Sequence, residues 1–249
     1  MDAIDHKLHK ALMARWAAVY GCATELGNSV DIRPSDSYAV IQHESTKDAR
    51  ADFRIKPVVF TLPELADLTS KDFYIVVEGL ISLDKQAFRD SEVVRTLSFS
   101  THVAYFRYTK EGFQHMYGAH YDFAQNEIGH PVFHVQLKSF ANLFAAVNEQ
   151  YGQTFEVAED CMRGIPKRMR IPCAQMDAFS LFSQLIADHL LWKNSSTEEL
   201  ERFIHLIQDQ RSLQGAAFQI TRLQEEAAIR CYRGIHWYPS RDNTLAAIV

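Results

Sequence analysis

The hydrophobic period of this chain changes twice. Over residues 3–26, Leu8, Leu12, Trp16, Val19 and Tyr20 recur at three- and four-residue steps, which predicts an amphipathic helix stopped by Gly27-Asn28. From Ala51 to Leu137 the period shortens to two. Residues 53–60, 73–83 and 93–108 are rich in β-branched and aromatic side chains and read as strands, with a further short strand over 38–42. Pro57 puts its strand at an edge or gives it a break, and residues 62–68 read as a brief helix between strands. The connections are mostly too short for crossover helices, so the sheet is expected to be mainly antiparallel.

After Lys138 the helical period returns. Residues 139–151 form one predicted helix, and residues 176–193 a second, with Phe179, Phe182, Leu185, Ile186 and Leu190 on one stripe. Ser196-Thr-Glu-Glu199 is a capping box that opens a third stripe at Leu200, Phe203, Ile204 and Ile207. Gly215 separates it from a helix over 216–232, and residues 234–249 read as an irregular tail. The expectation is an α+β protein: N-terminal helix, central mainly antiparallel sheet, C-terminal helical layer. It is read as a single domain over 1–249, with helix plus sheet in 1–138 and the helical layer in 139–249.

Within the strand region one hairpin stands out: His120-Tyr-Asp122-Phe, then His130-Pro-Val-Phe-His134-Val-Gln136. Alternate strand residues share a face. His120 and Asp122 therefore share one face of the first arm, and His130, Val132, His134 and Gln136 one face of the second. Tyr121 and Phe123, with Phe133, Val135 and Leu137, take the other. If the turn closes around residues 126–129, Asp122 lies near His130, and His120 lies diagonal to His134.

Two chemistries fit that polar face. Imidazole and carboxylate are normal ligands for zinc, manganese or iron, so His120, Asp122 and His134 read as a candidate divalent-metal set. Alternatively, His120 and His134 divide proton donor and acceptor roles, with Asp122 and His130 orienting them. A third reading is a solvated, hydrogen-bonded ladder. His115 and Tyr117 upstream, and His102 and Tyr108 on the preceding strand, are further candidates. Glu78 interrupts an apolar strand and is read as facing solvent.

A second cluster, Arg163-Gly-Ile-Pro-Lys167-Arg168-Met-Arg170-Ile-Pro172, carries four cations in a Gly- and Pro-bearing loop. Arg163, Lys167, Arg168 and Arg170 have the chemistry to grip phosphate or an acidic partner, which points toward nucleic acid or a nucleotide. The plainer alternative is a solvated basic connector.

Composition narrows the field only modestly. The 249 residues are 47% hydrophobic and 23% charged, with a formal net charge of −5, which argues against a basic coat over the whole molecule. Cys22, Cys161, Cys173 and Cys231 are too scattered for a zinc-finger spacing or a dense disulfide framework, so free thiols in a cytoplasmic protein are expected. No apolar run reaches membrane-span length and no secretory leader is expected at the start. There is no dinucleotide-binding glycine motif, phosphate-binding P-loop, nucleophile elbow or kinase set.

The stretch Tyr105-Phe-Arg107-Tyr108, His120-Tyr-Asp122 and His130-Pro-Val-Phe-His134 resembles a pattern in uncharacterised prokaryotic proteins near toxin–antitoxin and phage-defence loci. Gln136 stands where that pattern carries a third histidine of its second arm. The resemblance covers about 30 residues and implies a small nuclease, a toxin-like effector or a defence component. Two expectations follow: an enzyme acting on phosphodiesters or nucleotides, or a non-enzymatic assembly subunit that docks a partner or a second copy through exposed Phe and Leu of residues 176–232.

Overall fold

The computed structural model describes residues 1–26, 30–62, 73–123, 133–163, 171–173, 176–191 and 195–214. The first helix, α1 (Ala3–Leu26), starts where the Asp2 carboxylate accepts from the amides of Ile4 and Asp5, and it buries Leu8, Leu12, Trp16 and Val19. Then come β1 (Asp31–Arg33), α2 (Ser37–Val40), β2 (Ile41–Lys47), β3 (Arg50–Leu62), β4 (Phe73–Asp84), α3 (Lys85–Ser91), β5 (Thr96–Thr109), β6 (Gly112–Phe123) and β7 (Phe133–Leu137). A 3-10 turn (Ala141–Leu143) leads into α4 (Phe144–Tyr151), followed by β8 (Val157–Asp160), β9 (Ile171–Pro172), α5 (Ala178–His189) and α6 (Thr197–Gln214). Asp177 caps α5, and the capping box of α6 is made as its sequence predicts: the Ser196 amide donates to Glu199 and the Glu199 amide to Ser196 Oγ.

The strands form one sheet ordered β1-β3-β4-β5-β6-β7-β9. Its two long edges are each shared by a pair of short strands. β1 and β2 both pair with β3, one along each half. On the other side β7 pairs antiparallel with the end of β6, and β8 pairs parallel with its beginning. All other pairings are antiparallel. Two register shifts matter. One lies between Ile55 and Val58, around Pro57, which has no N–H to give to a ladder. The other lies between Tyr105 and Phe106, where β6 passes over Met116 without a partner.

Both faces of the sheet are used. The first packs Phe53, Phe60, Ile75, Val77 and Val103 against Trp16 of α1 and Phe179 and Phe182 of α5. The second packs Val59, Val76, Ala104, Phe106 and Phe113 against Phe140, Phe144 and Val147, at and around α4. That second face is apolar only where α4 covers it. Beyond the α4 end it turns polar, and the histidine-bearing strands occupy that part. At the rim of the first core, Asp5 and Lys85 are buried as an ion pair of 2.9 Å that ties α1 to α3, and Lys85 also donates to Asp2.

The predicted strand over 38–42 is instead the short helix α2 followed by β2. Asp36 accepts from the Tyr38 amide and so nucleates a helical turn. Leu62 is the last residue of β3, while the rest of the expected helix over 62–68, the helix over 216–232, the hairpin turn at 126–129, Gly27-Asn28 and the tail over 234–249 lie outside the described residues. No helix among the described residues is long and apolar enough to cross a membrane.

Two glycines should respond in opposite directions. A Cβ on Gly118 would run into the Lys138 carbonyl oxygen and press on Phe140, so Gly118→Ala is expected to lose about 1–3 kcal/mol. A Cβ on Gly21 in α1 would meet nothing, so Gly21→Ala should gain up to about 1 kcal/mol. Urea unfolding of the two variants checks the pair.

Candidate metal centre

Strand register brings the site together. Glu78, His102, His120 and Gln136 line up across β4, β5, β6 and β7. One step along the same face lie Leu80, Ser100, Asp122 and His134, with Pro172 of β9 beyond. His134 therefore sits directly opposite Asp122 and diagonal to His120. Directly opposed residues hold their Cβ atoms roughly 5 Å apart, close enough for side chains to share a ligand.

The geometry fits that role. His120 Nε2 lies 3.4 Å from Asp122 Oδ2. Two ligands held at about 2.1 Å from a tetrahedral ion would be separated by about 3.4 Å. The His120 and His134 ring centroids are 6.1 Å apart, and one ligand atom from each of His120, Asp122 and His134 falls within 4.8 Å of the others. His134 is buried, while the His120 side chain is 16% exposed and that of Asp122 30% exposed. The cluster thus has a closed floor and an open side. Nδ1 of His120 is buried and makes no hydrogen bond among the described residues.

Burial alone would push the Asp122 carboxyl up. The hydrogen bond from His120 and the neighbouring His120 and His134 charges outweigh it, so the group stays below its ordinary value of 3.8. A carboxylate held charged beside two imidazoles is in the state that ligation requires.

A second pair borders the cluster. Glu78 Oε1 accepts from His102 Nδ1 at 3.0 Å. The His102 ring stacks on Phe140, at 4.6 Å and 23°, and lies tilted against His120, at 5.0 Å and 34°. Glu78 is therefore half-buried and engaged, where the sequence put it on solvent. The hint in the sequence was a lone carboxylate in the apolar run of β4. Its partner is 24 positions away and becomes visible only once the β4–β5 register is known.

The other candidates scatter. His130, Lys167, Arg168 and Arg170 lie outside the described residues. Arg163 is exposed on the turn after β8, and β8 meets β6 only at Phe113–His115. Ile171 and Pro172, which follow the basic residues in sequence, pair with Val135 and His134. His115 is fully buried and held by Asp160 at 2.8 Å, and Ser139 donates to the same carboxylate. It anchors β8 rather than joining the site. Tyr117 points to the opposite face, the same as Tyr121 four residues on, and Tyr108 sits at the far end of β5.

No protein-family model matches this chain, and neither a curated protein nor a solved structure matches it.

The ion pair predicts a titration. With its folded value below the unfolded one, Asp122 supports the fold above the unfolded value, and that support fades as pH falls through the folded value. Replacing His120 by alanine should move the Asp122 carboxyl upward while burial remains. Carbon-detected NMR of the side-chain carboxyl, in metal-free protein, reads the shift; an unchanged value would show that His120 does not govern it.

Proposed function

We propose that this protein is a metal-dependent enzyme of the hydrolase type, acting on a phosphodiester or nucleotide, with His120, Asp122 and His134 as ligands. The observation that carries the reading is the convergence of three ligating side chains from two adjacent strands within 4.8 Å. Three protein ligands leave positions for water and substrate, and a bound divalent ion lowers the pKa of its water toward neutrality. Imidazole and carboxylate donors suit zinc, manganese or iron. His102, oriented by Glu78, is the neighbouring base on the same row and the group best situated to accept a proton. His130 remains a candidate from the sequence alone.

Support for an anionic substrate comes from chain connectivity. Arg170 immediately precedes Ile171, whose strand partner is Val135, next to His134. Lys167, Arg168 and Arg170 precede Ile171 closely in sequence and have the chemistry to hold a phosphate. The local resemblance would make the enzyme a toxin-like or defence-type nuclease.

Elemental mass spectrometry on protein purified without chelators tests the centre. The expected result is about one ion per chain in the wild type and loss of that ion in His120→Ala/His134→Ala. Cleavage of RNA, DNA or bis(p-nitrophenyl) phosphate should fall to background in the same variant. Glu78→Gln should keep the fold and cost about 10- to 100-fold in metal affinity or turnover. A folded wild type without metal, unable to take up zinc, manganese or iron, sinks the proposal.

One observation favours an assembly subunit as the second reading. Leu200, Ile204 and Ile207 are exposed along one side of α6, at 44%, 51% and 38%. Phe179 and Phe182 of the α5 stripe are buried in the core against α1 and β3, so they offer no docking surface. A stable oligomer that dissociates in Leu200→Lys/Ile204→Lys would favour this reading, measured by light scattering after gel filtration.

A further inference from the structure

On the sheet's first face, opposite the histidine cluster, β5 and β6 run out from under α5 and leave a groove of about 340 Å³, within the usual range for a small-molecule site. Its walls are aromatic. Tyr105 and Tyr117 meet edge to face, with ring centroids 5.7 Å apart and planes at 74°. Tyr121 continues the wall and shares a hydroxyl hydrogen bond with Tyr117. Two rings at nearly right angles, with a third alongside, present π faces from more than one direction.

The rim has the opposite character. Asp188, near the end of α5, lines the groove and is exposed. It accepts from Gln184 at 2.7 Å and forms no ion pair among the described residues. The groove's described lining contains neither Lys nor Arg. Behind it, His189 Nε2 meets the Tyr105 hydroxyl at 3.3 Å. Burial holds the His189 imidazole below its ordinary value despite the nearby Asp188 charge, so it adds no cation at neutral pH. Burial likewise pushes the Tyr105 and Tyr121 hydroxyls up, which keeps those rings neutral.

Aromatic faces, an exposed carboxylate and a described lining without Lys or Arg form a complementary surface for positive charge on an apolar body. A simple apolar ligand would leave the carboxylate without a role, and an anion would meet Asp188 with repulsion. We propose that the Tyr105–Tyr117–Tyr121 groove binds a small organic cation of the alkylammonium or quaternary ammonium class, its charged head among the tyrosine rings and within the field of Asp188. This site stands on the other face of the sheet and does not depend on the metal reading.

The test compares choline with 3,3-dimethylbutan-1-ol, the same shape without the charge, by calorimetric titration of the full chain. Choline should bind saturably and roughly tenfold more tightly than the alcohol, as expected for a desolvated cation among aromatic rings. Asp188→Asn, an exposed substitution that leaves the core alone, should weaken choline by roughly threefold and leave the alcohol unchanged. Tyr117→Leu should abolish the preference for charge, with circular dichroism confirming that the sheet is retained. Equal binding of the two probes, no saturable choline binding, or a choline affinity indifferent to Asp188→Asn would each overturn the assignment.

Discussion

Cross-strand register across β3, β4, β5 and β6 governs this molecule. Side chains alternate strictly in a strand, so a one-residue slip would exchange every inward residue for an outward one. Here the long strands stay paired over almost their whole length. Where sequence demands departures, at Pro57 and at Met116, the irregularity is confined to a local shift. The apolar residues thereby fall on two faces that can each be covered. The same register sets Glu78, His102 and His120 in one line and Ser100, Asp122 and His134 in the next. Packing and site are two consequences of one pairing pattern.

The sheet's second face shows how a site arises at the limit of a core. Under α4 the face is built from Val59, Val76, Ala104 and Phe106. Phe140 closes that core and at the same time stacks on His102. The polar rows begin where helical cover ends, so the imidazoles gain low-dielectric surroundings on one side and access on the other. Such half-buried positions make charge interactions stronger than at an open surface. That accounts for an Asp122 carboxyl kept ionised against the cost of burial.

Much of this was legible from residue patterns. Three- and four-residue apolar steps foretold α1, and the stripe from Phe179 to Leu190 foretold α5. β3, β4 and β5 appeared as β-branched runs, and the capping box at Ser196 marked the start of α6. The two-residue period also revealed that His120 and Asp122 share a face and that His134 faces them from the next strand. Short elements were not legible. β1, β8 and β9 are held by neighbours rather than by their own periodicity, and α2 depends on one capping contact from Asp36. The Glu78–His102 pair was hidden because pairing partners far apart in sequence follow from register, not from composition. His115 shares the cluster's face only because the irregularity at Met116 shifts the alternation, with no glycine or proline to announce it.

Unequal anchorage of the cluster has a dynamic consequence. His120 and Asp122 belong to β6, which is clasped by β5 along its length. His134 belongs to a five-residue strand held on one side by the end of β6 and on the other by the two residues of β9. Short, lightly held edges open at lower free energy than central strands. Excursions of β7 would carry one member of the triad away while the other two stay fixed, so the cluster would assemble and come apart without the sheet unfolding. Anything that bridges His134 to His120 and Asp122 would act as a clasp on that edge, and amide exchange in β7 would slow while that of β4 and β5 stayed the same.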